Sequence, residues 1–332
     1  MNAVMTDAVN ALLERFRSGE IGQSKEINPF WRDQLARLGR TLRKGGPDVS
    51  LDLIRGALGY NAFRLPPGVT KNADRADWTN VMRAVDACDV EGPGHVVEHI
   101  GALAYLKRVG HLDAYLAWVD GHGVMSAMDL ARHYWYASKL ARYRAKGAEP
   151  VVCLEVGSGS GRFATRLVEL GIARQFVLVD LPEMLLNAML LIGEMFPQAE
   201  IRYGETPDFS QPGLIFWMLE TSDIKRVPER SIDIALNFYS FMEMDEAVRD
   251  FYIGQIYRAS APGALFYNVN RRQGKMTRRD GATFDNNPLL YPYRKSDTVL
   301  EWEPDDFQQS NRSDRFIAPT KSFAISRIAR VA

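Results

Sequence analysis

The stretch VVCLEVGSGSGRF, residues 151–163, constrains the fold of this chain more than any other. It begins with an apolar run that contains one acid, Glu155, and continues with three glycines that alternate with serines. The apolar run predicts a buried strand, and the glycines predict a tight loop before a helix that contains Phe163. Because glycine lets the backbone approach another molecule closely, residues 157–161 are expected to bind a ligand.

The sequence after about residue 146 continues this alternation of strands and helices. Short apolar runs alternate with amphipathic segments, which is typical of a parallel sheet with crossover helices. Strands are predicted at residues 151–156, 175–179, 231–238 and 264–269, with 201–203 and 215–218 competing for one further strand. Two late segments, 298–302 and 322–331, have no helical pattern between them, so we expect an antiparallel pair at the end of the sheet.

The residues before about 146 have a different pattern, that of helices joined by glycine- and proline-rich turns. Helices are predicted at residues 31–44, 50–63, 96–108 and 124–144. A chain of 332 residues fits one large domain or two modest ones. We therefore expect a helical N-terminal region at 1–146 that caps a pocket, followed by an α/β domain at 150–332.

The glycine loop fits some ligands better than others. A P-loop is excluded because it requires a lysine that is missing here. The dinucleotide pattern Gly-x-Gly-x-x-Gly/Ala is satisfied literally by Gly159-Ser-Gly161-Arg-Phe-Ala164. However, a carboxylate at Glu155 would repel a pyrophosphate and suits a ligand that carries an ammonium and a sulfonium. Asp180, at the end of the second strand, could accept hydrogen bonds from a ribose in either case. A dinucleotide, or a glycine turn with no ligand, stays open.

The residues Glu155-Val-Gly157-Ser-Gly159-Ser-Gly161 and Val179-Asp180 resemble the first and second motifs of the class I S-adenosylmethionine-dependent methyltransferases. The late strand pair is similar to the reversed hairpin that closes their sheet. The resemblance implies an α/β fold with a Rossmann-like class I methyltransferase sheet, an antiparallel C-terminal strand pair and a helical N-terminal region. It also implies that S-adenosylmethionine is the cofactor and that it is bound by Glu155, Gly157, Gly159, Gly161, Asp180, Leu181 and Asn237.

Four shorter motifs resemble one group within that superfamily, the sugar O-methyltransferases. They are Arg132-His-Tyr-Trp-Tyr136, Val179-Asp-Leu-Pro-Glu-Met184, Asn237-Phe-Tyr-Ser-Phe-Met-Glu-Met244 and Tyr267-Asn-Val-Asn-Arg271. This resemblance implies methyl transfer to a hydroxyl of a sugar or glycan precursor, as in polysaccharide biosynthesis. The alternatives are a methyltransferase of another small metabolite, an NAD(P)-dependent oxidoreductase, and a binding or scaffold subunit with the same fold.

A sugar hydroxyl is a weak nucleophile, so a nearby base would assist its methylation. The phenolic O-methyltransferases of plants have a His-Asp pair after the fourth strand, whereas this sequence has Phe241-Met242 there. Glu243 is the nearest ionisable residue, and we expect it to be the base or a substrate ligand. His133 is the second candidate for the base. Tyr239, Asn270 and Arg271 are predicted to contact the substrate.

Two further patterns carry charged or metal-ligating residues. Five cations lie between Arg271 and Arg279, where they could bind the diphosphate of a nucleotide-linked sugar or form a solvated loop. His95-Val-Val-Glu-His99 matches the inverted zincin pattern, but no third ligand is evident and no metal site is predicted.

The overall charge gives no indication of a nucleic-acid or membrane partner, because 41 basic residues balance 41 acidic ones. The N-terminus lacks the basic start and apolar run of a signal peptide, and the most apolar helical stretch, residues 185–192, is too short to cross a bilayer. We therefore expect a cytoplasmic protein that acts on a small molecule, with homo-oligomerisation left open.

Overall fold

A computed structural model describes residues 3–18, 20, 75–88, 99–116, 127–144, 151–272, 274–277, 281–305, 307 and 324–332. The helices predicted at 31–44 and 50–63 lie outside the described residues. The helices are α1 (Ala3–Ser18), α2 (Arg75–Ala87), α3 (His99–Arg108), α4 (Ala127–Tyr143), α5 (Arg162–Glu169), α6 (Pro182–Met195) and α7 (Glu246–Ala259). The strands are β1 (Val151–Val156), β2 (Ala173–Asp180), β3 (Glu200–Tyr203), β4 (Ile215–Glu220), β5 (Ile232–Phe238), β6 (Ser260–Arg271), β7 (Gly274–Thr277), β8 (Thr283–Asn286), β9 (Thr298–Pro304) and β10 (Ala324–Arg330).

Eight of these strands form one sheet in the order β3-β4-β2-β1-β5-β6-β10-β9, and β7 and β8 form a separate antiparallel pair. The pairs from β3 to β6 are parallel. At the other edge, the N–H of Gly263 donates to the carbonyl of Val331, and the N–H of Val331 donates to the carbonyl of Ala264, so the end of the chain is hydrogen-bonded to β6. The predicted fold class, an α/β sheet of Rossmann type that ends in antiparallel C-terminal strands, is confirmed.

The central strands are buried because helices cover both faces of a parallel sheet. Every residue of β4 before Glu220 is buried, including the indole of Trp217. Parallel strands joined by helices also place their carboxyl ends at one edge of the sheet. In this register Asp180 at the end of β2 lies beside Glu220 at the end of β4.

Two features of this region differ from the sequence predictions. The segments 201–203 and 215–218 were expected to compete for one strand, but both form, as the adjacent parallel strands β3 and β4. The strand predicted at 264–269 is longer, since β6 begins at Ser260, ends at Arg271 and includes Gly263, whose N–H donates to the carbonyl of Val331. In both places, pairing with a distant strand decides the structure, which a local pattern does not contain.

The chain divides into two compact units. One unit comprises residues 1–59, 145–303 and 325–332, and the other comprises residues 60–144 and 304–324. Helix α1 therefore belongs to the unit that contains the sheet, where it packs against β3 and α6. The second unit contains α2, α3 and α4, and within it the hydroxyl of Tyr136 donates to Asp305 at 2.8 Å. That the N-terminal region caps a pocket stays a prediction.

No helix within the described ranges has both the length and the apolar character that crossing a membrane requires.

Candidate functional site

The glycine loop between β1 and α5 has the left-handed backbone that its composition predicts. Gly157, Gly159 and Gly161 have φ angles of 72°, 56° and 70°, which residues other than glycine rarely adopt. A Cβ at Gly161 would lie 3.1 Å from Ile192 and 3.3 Å from Ala188, both on α6. The loop is therefore held close to the neighbouring helix, and only glycine fits there without strain.

Asp180 ties this loop to the end of β2. Its two carboxyl oxygens accept hydrogen bonds from the backbone N–H groups of Gly159 at 2.6 Å and Leu181 at 2.7 Å. Burial, together with the charges of Glu243 and Glu183, raises the pKa of Asp180 to about 7, against the lowering effect of these two hydrogen bonds. Because a carboxyl oxygen can accept two hydrogen bonds, Asp180 retains acceptor capacity for the hydroxyls of a ligand.

Glu155 precedes the loop as the penultimate residue of β1, and it is only 3% exposed. Burial raises its pKa well above the ordinary value, and the charge of Asp180 contributes in the same direction. Its Oε2 atom is buried and has no hydrogen-bond partner among the described residues. An unsatisfied buried carboxyl oxygen costs folding free energy, so this atom indicates a place where a ligand supplies a donor or a positive charge.

Two further acids, absent from the predicted site residues, lie at the same edge of the sheet. Glu183, in the first turn of α6, is 1% exposed, and both of its carboxyl oxygens are buried without a partner in the described part of the chain. Burial raises its pKa to about 7, against a hydrogen bond from its own backbone N–H, and the charge of Glu220 adds to the increase. Glu220 accepts hydrogen bonds from Arg15 and Tyr203. The position of Glu220 at the end of an apolar strand, like that of Asp180, is a signal that could have revealed it.

The segment after β5 packs directly onto the glycine loop. The amide of Asn237 donates to the carbonyl of Val156 at 2.8 Å and to the hydroxyl of Ser240. A Cβ at Gly157 would overlap with the Ser240 side chain, so the two loops share one closely fitted contact. Tyr239 adopts a φ angle of 62°, which is uncommon for a residue with a side chain. The structure thus brings Asn237, Ser240 and the glycine loop together, and the binding of the cofactor by Asn237 stays a prediction.

Glu243 is the last residue of a single 3-10 turn, Phe241–Glu243, and it is half-buried. Its backbone N–H donates to the carbonyl of Ser240 at 3.0 Å. Its charge raises the pKa of Asp180, which means that the two carboxylates lie within electrostatic reach of each other. The strongest candidate for the base is therefore at the same edge of the sheet as the glycine loop.

The predicted substrate residues lie at the end of β6 and beside it. The guanidinium of Arg271 is exposed and lies 5.6 Å from the centre of the Tyr239 ring. Arg272 forms an ion pair with Asp285 at 3.1 Å. The side chains of residues 273–280, which include the other cations of this stretch, lie outside the described residues. Asn270, by contrast, is fully buried and is hydrogen-bonded only to neighbouring protein groups in the described structure.

His133 and the His95–His99 motif lie away from this constellation in the chain. His133 is half-buried on α4, in the second unit. His95 and the side chain of His99 lie outside the described residues. Within the ranges that the structure describes, no group of three or more His, Cys, Asp or Glu residues could hold a metal ion.

Comparisons with known proteins found solved structures alone: no family model and no curated protein matches the chain. A protein assigned as a sarcosine dimethylglycine methyltransferase from Galdieria sulphuraria is 14% identical over 62% of this chain and 87% of its own, with a TM-score of 0.43. The 1,6-didemethyltoxoflavin-N1-methyltransferase of Burkholderia thailandensis is 14% identical over 74% of this chain and 92% of its own, with a TM-score of 0.40. An S-adenosylmethionine-dependent methyltransferase from Mesorhizobium loti is 15% identical over 61% of this chain and 99% of its own, with a TM-score of 0.37. At these identities, the function of the site rests on its own residues.

Proposed function

We propose that this chain binds S-adenosylmethionine at the glycine loop and catalyses methyl transfer. The observation that carries the proposal is the buried Oε2 atom of Glu155, which has no partner among the described residues and belongs to the strand that leads into a loop of left-handed glycines. A cofactor with an ammonium and a sulfonium would bring positive charge to this acid. Asp180 has the acceptor capacity that ribose hydroxyls require. The residues present therefore fit the cofactor.

The buried acids also argue against the dinucleotide alternative. Burial raises the pKa values of Glu155, Asp180 and Glu183, so the ligand-free site favours their neutral forms. A ligand with positive charge would compensate their ionised forms, whereas a pyrophosphate brings only further negative charge. The backbone N–H of Gly159 is also already bonded to Asp180 and is not free to bind a phosphate. An oxidoreductase that uses NAD(P) is thus the weaker candidate.

Each residue of the site has a distinct part in this proposal. Gly157, Gly159 and Gly161 let the backbone pass close to the cofactor, while Asp180 and Leu181 form the edge that holds its ribose. When bound, S-adenosylmethionine supplies an electrophilic methyl group on a positively charged sulfur. Glu243 would take up the proton that the acceptor hydroxyl loses on methylation. Positioning of the hydroxyl contributes much of the remaining rate.

We further propose that the acceptor is a hydroxyl of a sugar or glycan precursor, such as a nucleotide-linked sugar. The support is the group of short motifs around Asn237–Met244 and Tyr267–Arg271, together with the cation over an aromatic ring formed by Arg271 and Tyr239. An arginine there could pair with a phosphate, and the tyrosine ring offers a face for a sugar. Such a reaction would belong to cytoplasmic polysaccharide biosynthesis. The alternative acceptor is another small metabolite.

The proposal is tested by calorimetric titration with S-adenosylmethionine, with its demethylated product and with NAD(P), followed by methyl-transfer assays against nucleotide sugars and glycan fragments. We expect binding of the first two ligands and transfer to at least one sugar hydroxyl. Glu243→Gln should bind the cofactor normally and lower the turnover. Binding of NAD(P) alone would refute the cofactor assignment, and methylation only of acceptors without sugar would refute the acceptor assignment.

A further inference from the structure

The turn that carries Glu243 is held by side chains from three separate parts of the chain. We call Asn237, Asn270 and Asn286 the asparagine clamp; they lie near the end of β5, near the end of β6 and at the end of β8. All three are 0% exposed. Three fully buried primary amides around one short turn are unusual, because each must have its hydrogen bonds satisfied inside the protein.

The clamp contacts the turn at both its donor and its acceptor groups. The Oδ1 of Asn237 accepts from the N–H of Phe241 at 3.4 Å, and the Oδ1 of Asn270 accepts from the N–H of Met242 at 3.0 Å. At an acceptor group of the turn, the Nδ2 of Asn286 donates to the carbonyl of Phe241 at 3.1 Å. The backbone on the N-terminal side of Glu243 is therefore fixed by side chains as well as by its own turn.

Asn237 has no hydrogen-bonding capacity left for a ligand, and Asn270 has no amide hydrogen left to donate. The amide hydrogens of Asn270 go to Asn237 Oδ1 at 2.7 Å and Asn268 Oδ1 at 2.6 Å, while its own Oδ1 accepts from Met242. Asn237 donates to Val156 and Ser240 and accepts from Asn270 and Phe241. A primary amide can donate two hydrogen bonds and accept two, so the protein uses every position of Asn237 and all but one acceptor position of Asn270, a residue that is 0% exposed.

We infer that the asparagine clamp positions Glu243 for its reaction and does not itself bind cofactor or substrate. This inference rests on the proposed function, since it gives Asn237 and Asn270 a positioning role in place of direct contact with the ligands. It also connects the site to the segment after β6, because Asn286 ends β8 and pairs with Gly274 of β7. The turn is thus held by the same hairpin that follows Arg271 in the chain.

Hydrogen exchange tests the clamp without reference to activity. The full-length protein and the variants Asn270→Ala and Asn286→Ala would be compared by mass spectrometry for exchange in residues 238–246. Asn287→Ala is a matched control, because the neighbouring Asn287 accepts from the N–H of Leu289 at 3.1 Å in a different turn. We expect faster exchange at 238–246 in the two clamp variants and wild-type exchange there in the control. Unchanged exchange in both clamp variants would overturn the inference. If Asn270→Ala does not fold, Asn286→Ala tests the same point, since it leaves the contacts between Asn237, Asn270 and Asn268 in place.

A double-variant cycle tests whether the clamp acts through Glu243. Asn270→Ala should lower kcat by about 100-fold, as misplacement of a catalytic group by about 1 Å does, while the affinity for the cofactor changes less than about twofold. In a Glu243→Gln background the same substitution should have little further effect. Equal losses in both backgrounds would overturn the positioning role. Absence of all methyl transfer by the wild-type protein would refute the proposed function, and the exchange experiment would then still decide whether the clamp holds the turn.

Discussion

The side chain of Ser240 occupies the space that a Cβ at Gly157 would need. Gly157 has a φ angle of 72°, and the Ser240 hydroxyl donates to the carbonyl of Val156 at 3.2 Å. The glycine loop after β1 and the segment after β5 therefore fit each other at a point where no side chain can be added. This contact joins the part of the site proposed to bind the cofactor to the part that carries Glu243.

Gly157→Ala should destabilise the protein and abolish cofactor binding. The left-handed backbone alone costs a residue with a side chain about 1–2 kcal/mol, and the overlap with Ser240 adds to this cost. The double variant Gly157→Ala/Ser240→Gly removes the overlap and keeps the backbone strain, so it should recover part of the stability. Thermal unfolding of the wild type, the single variant and the double variant measures this recovery. A double variant no more stable than Gly157→Ala would show that the contact with Ser240 is not what excludes a side chain at residue 157.

Asp180→Ala should weaken binding of S-adenosylmethionine and of its demethylated product by about 1–3 kcal/mol each. The substitution removes acceptors for the ribose and also frees the N–H groups of Gly159 and Leu181. Because both ligands carry the same ribose, the two losses should be nearly equal in calorimetric titrations. A loss confined to one of the two ligands would contradict the assignment of Asp180 to the ribose.

Glu183→Gln should reduce the dependence of stability on pH in the ligand-free protein. Burial raises the pKa of Glu183 from 4.5 to about 7, so the folded state prefers the neutral form. The stability due to this preference is complete below pH 4.5 and is lost as the pH rises through about 7. Between pH 5 and pH 8 the melting temperature of the wild type should fall more than that of the variant. The exposed Glu229 provides a control, since Glu229→Gln should behave as the wild type. If the melting temperatures of Glu183→Gln and the wild type fall equally between pH 5 and pH 8, burial of Glu183 does not contribute to the dependence of stability on pH.

Arg15→Ala should destabilise the unit that contains the sheet, because Arg15 on α1 donates to Glu220 and Tyr203 at its edge. Removal of one partner from a partly buried ion pair leaves the other without compensation, at a cost of about 1–3 kcal/mol. Glu20 also pairs with Arg15 but is exposed, so Glu20→Ala should cost less than about 1 kcal/mol. Denaturant unfolding measures the free energy of unfolding of both variants. Equal losses in Arg15→Ala and Glu20→Ala would mean that α1 is not held to the sheet through Glu220.

Much of the fold follows from local pattern in the sequence. The run at 151–163 predicts β1, the loop and the start of α5, and the late segments predict β9 and β10. Prediction from pattern was incomplete where a strand exists only through its neighbour: β3 has four residues and is stabilised by β4, so its own sequence carries too weak a signal. The two-unit division, which places α1 with the sheet, likewise depends on contacts between residues far apart in the chain.

Motif positions in the sequence indicate that Glu155, Asp180 and the glycines lie at the same edge of the sheet, and their binding of a cofactor stays a prediction. The sequence carries less information where the role of a residue depends on its hydrogen-bond partners. Asn237 and Asn270 stand at strand ends that suggest contact with a ligand, yet their amides are used by protein groups up to 81 residues away. Ser240 and Glu183 lie within motifs of the sequence, but the contact of Ser240 with Gly157 and the burial of Glu183 arise only from the packing of the folded chain.

Binding of S-adenosylmethionine at Glu155 is tested by titration calorimetry of the ligand-free wild type and of Glu155→Gln with S-adenosylmethionine and with NAD(P). We expect S-adenosylmethionine to bind the wild type and to bind Glu155→Gln more weakly, because glutamine cannot balance the positive charge of the ligand. NAD(P) should give no heat with either protein. Binding of NAD(P) without binding of S-adenosylmethionine, or unchanged affinity for S-adenosylmethionine in Glu155→Gln, would contradict binding of S-adenosylmethionine at Glu155.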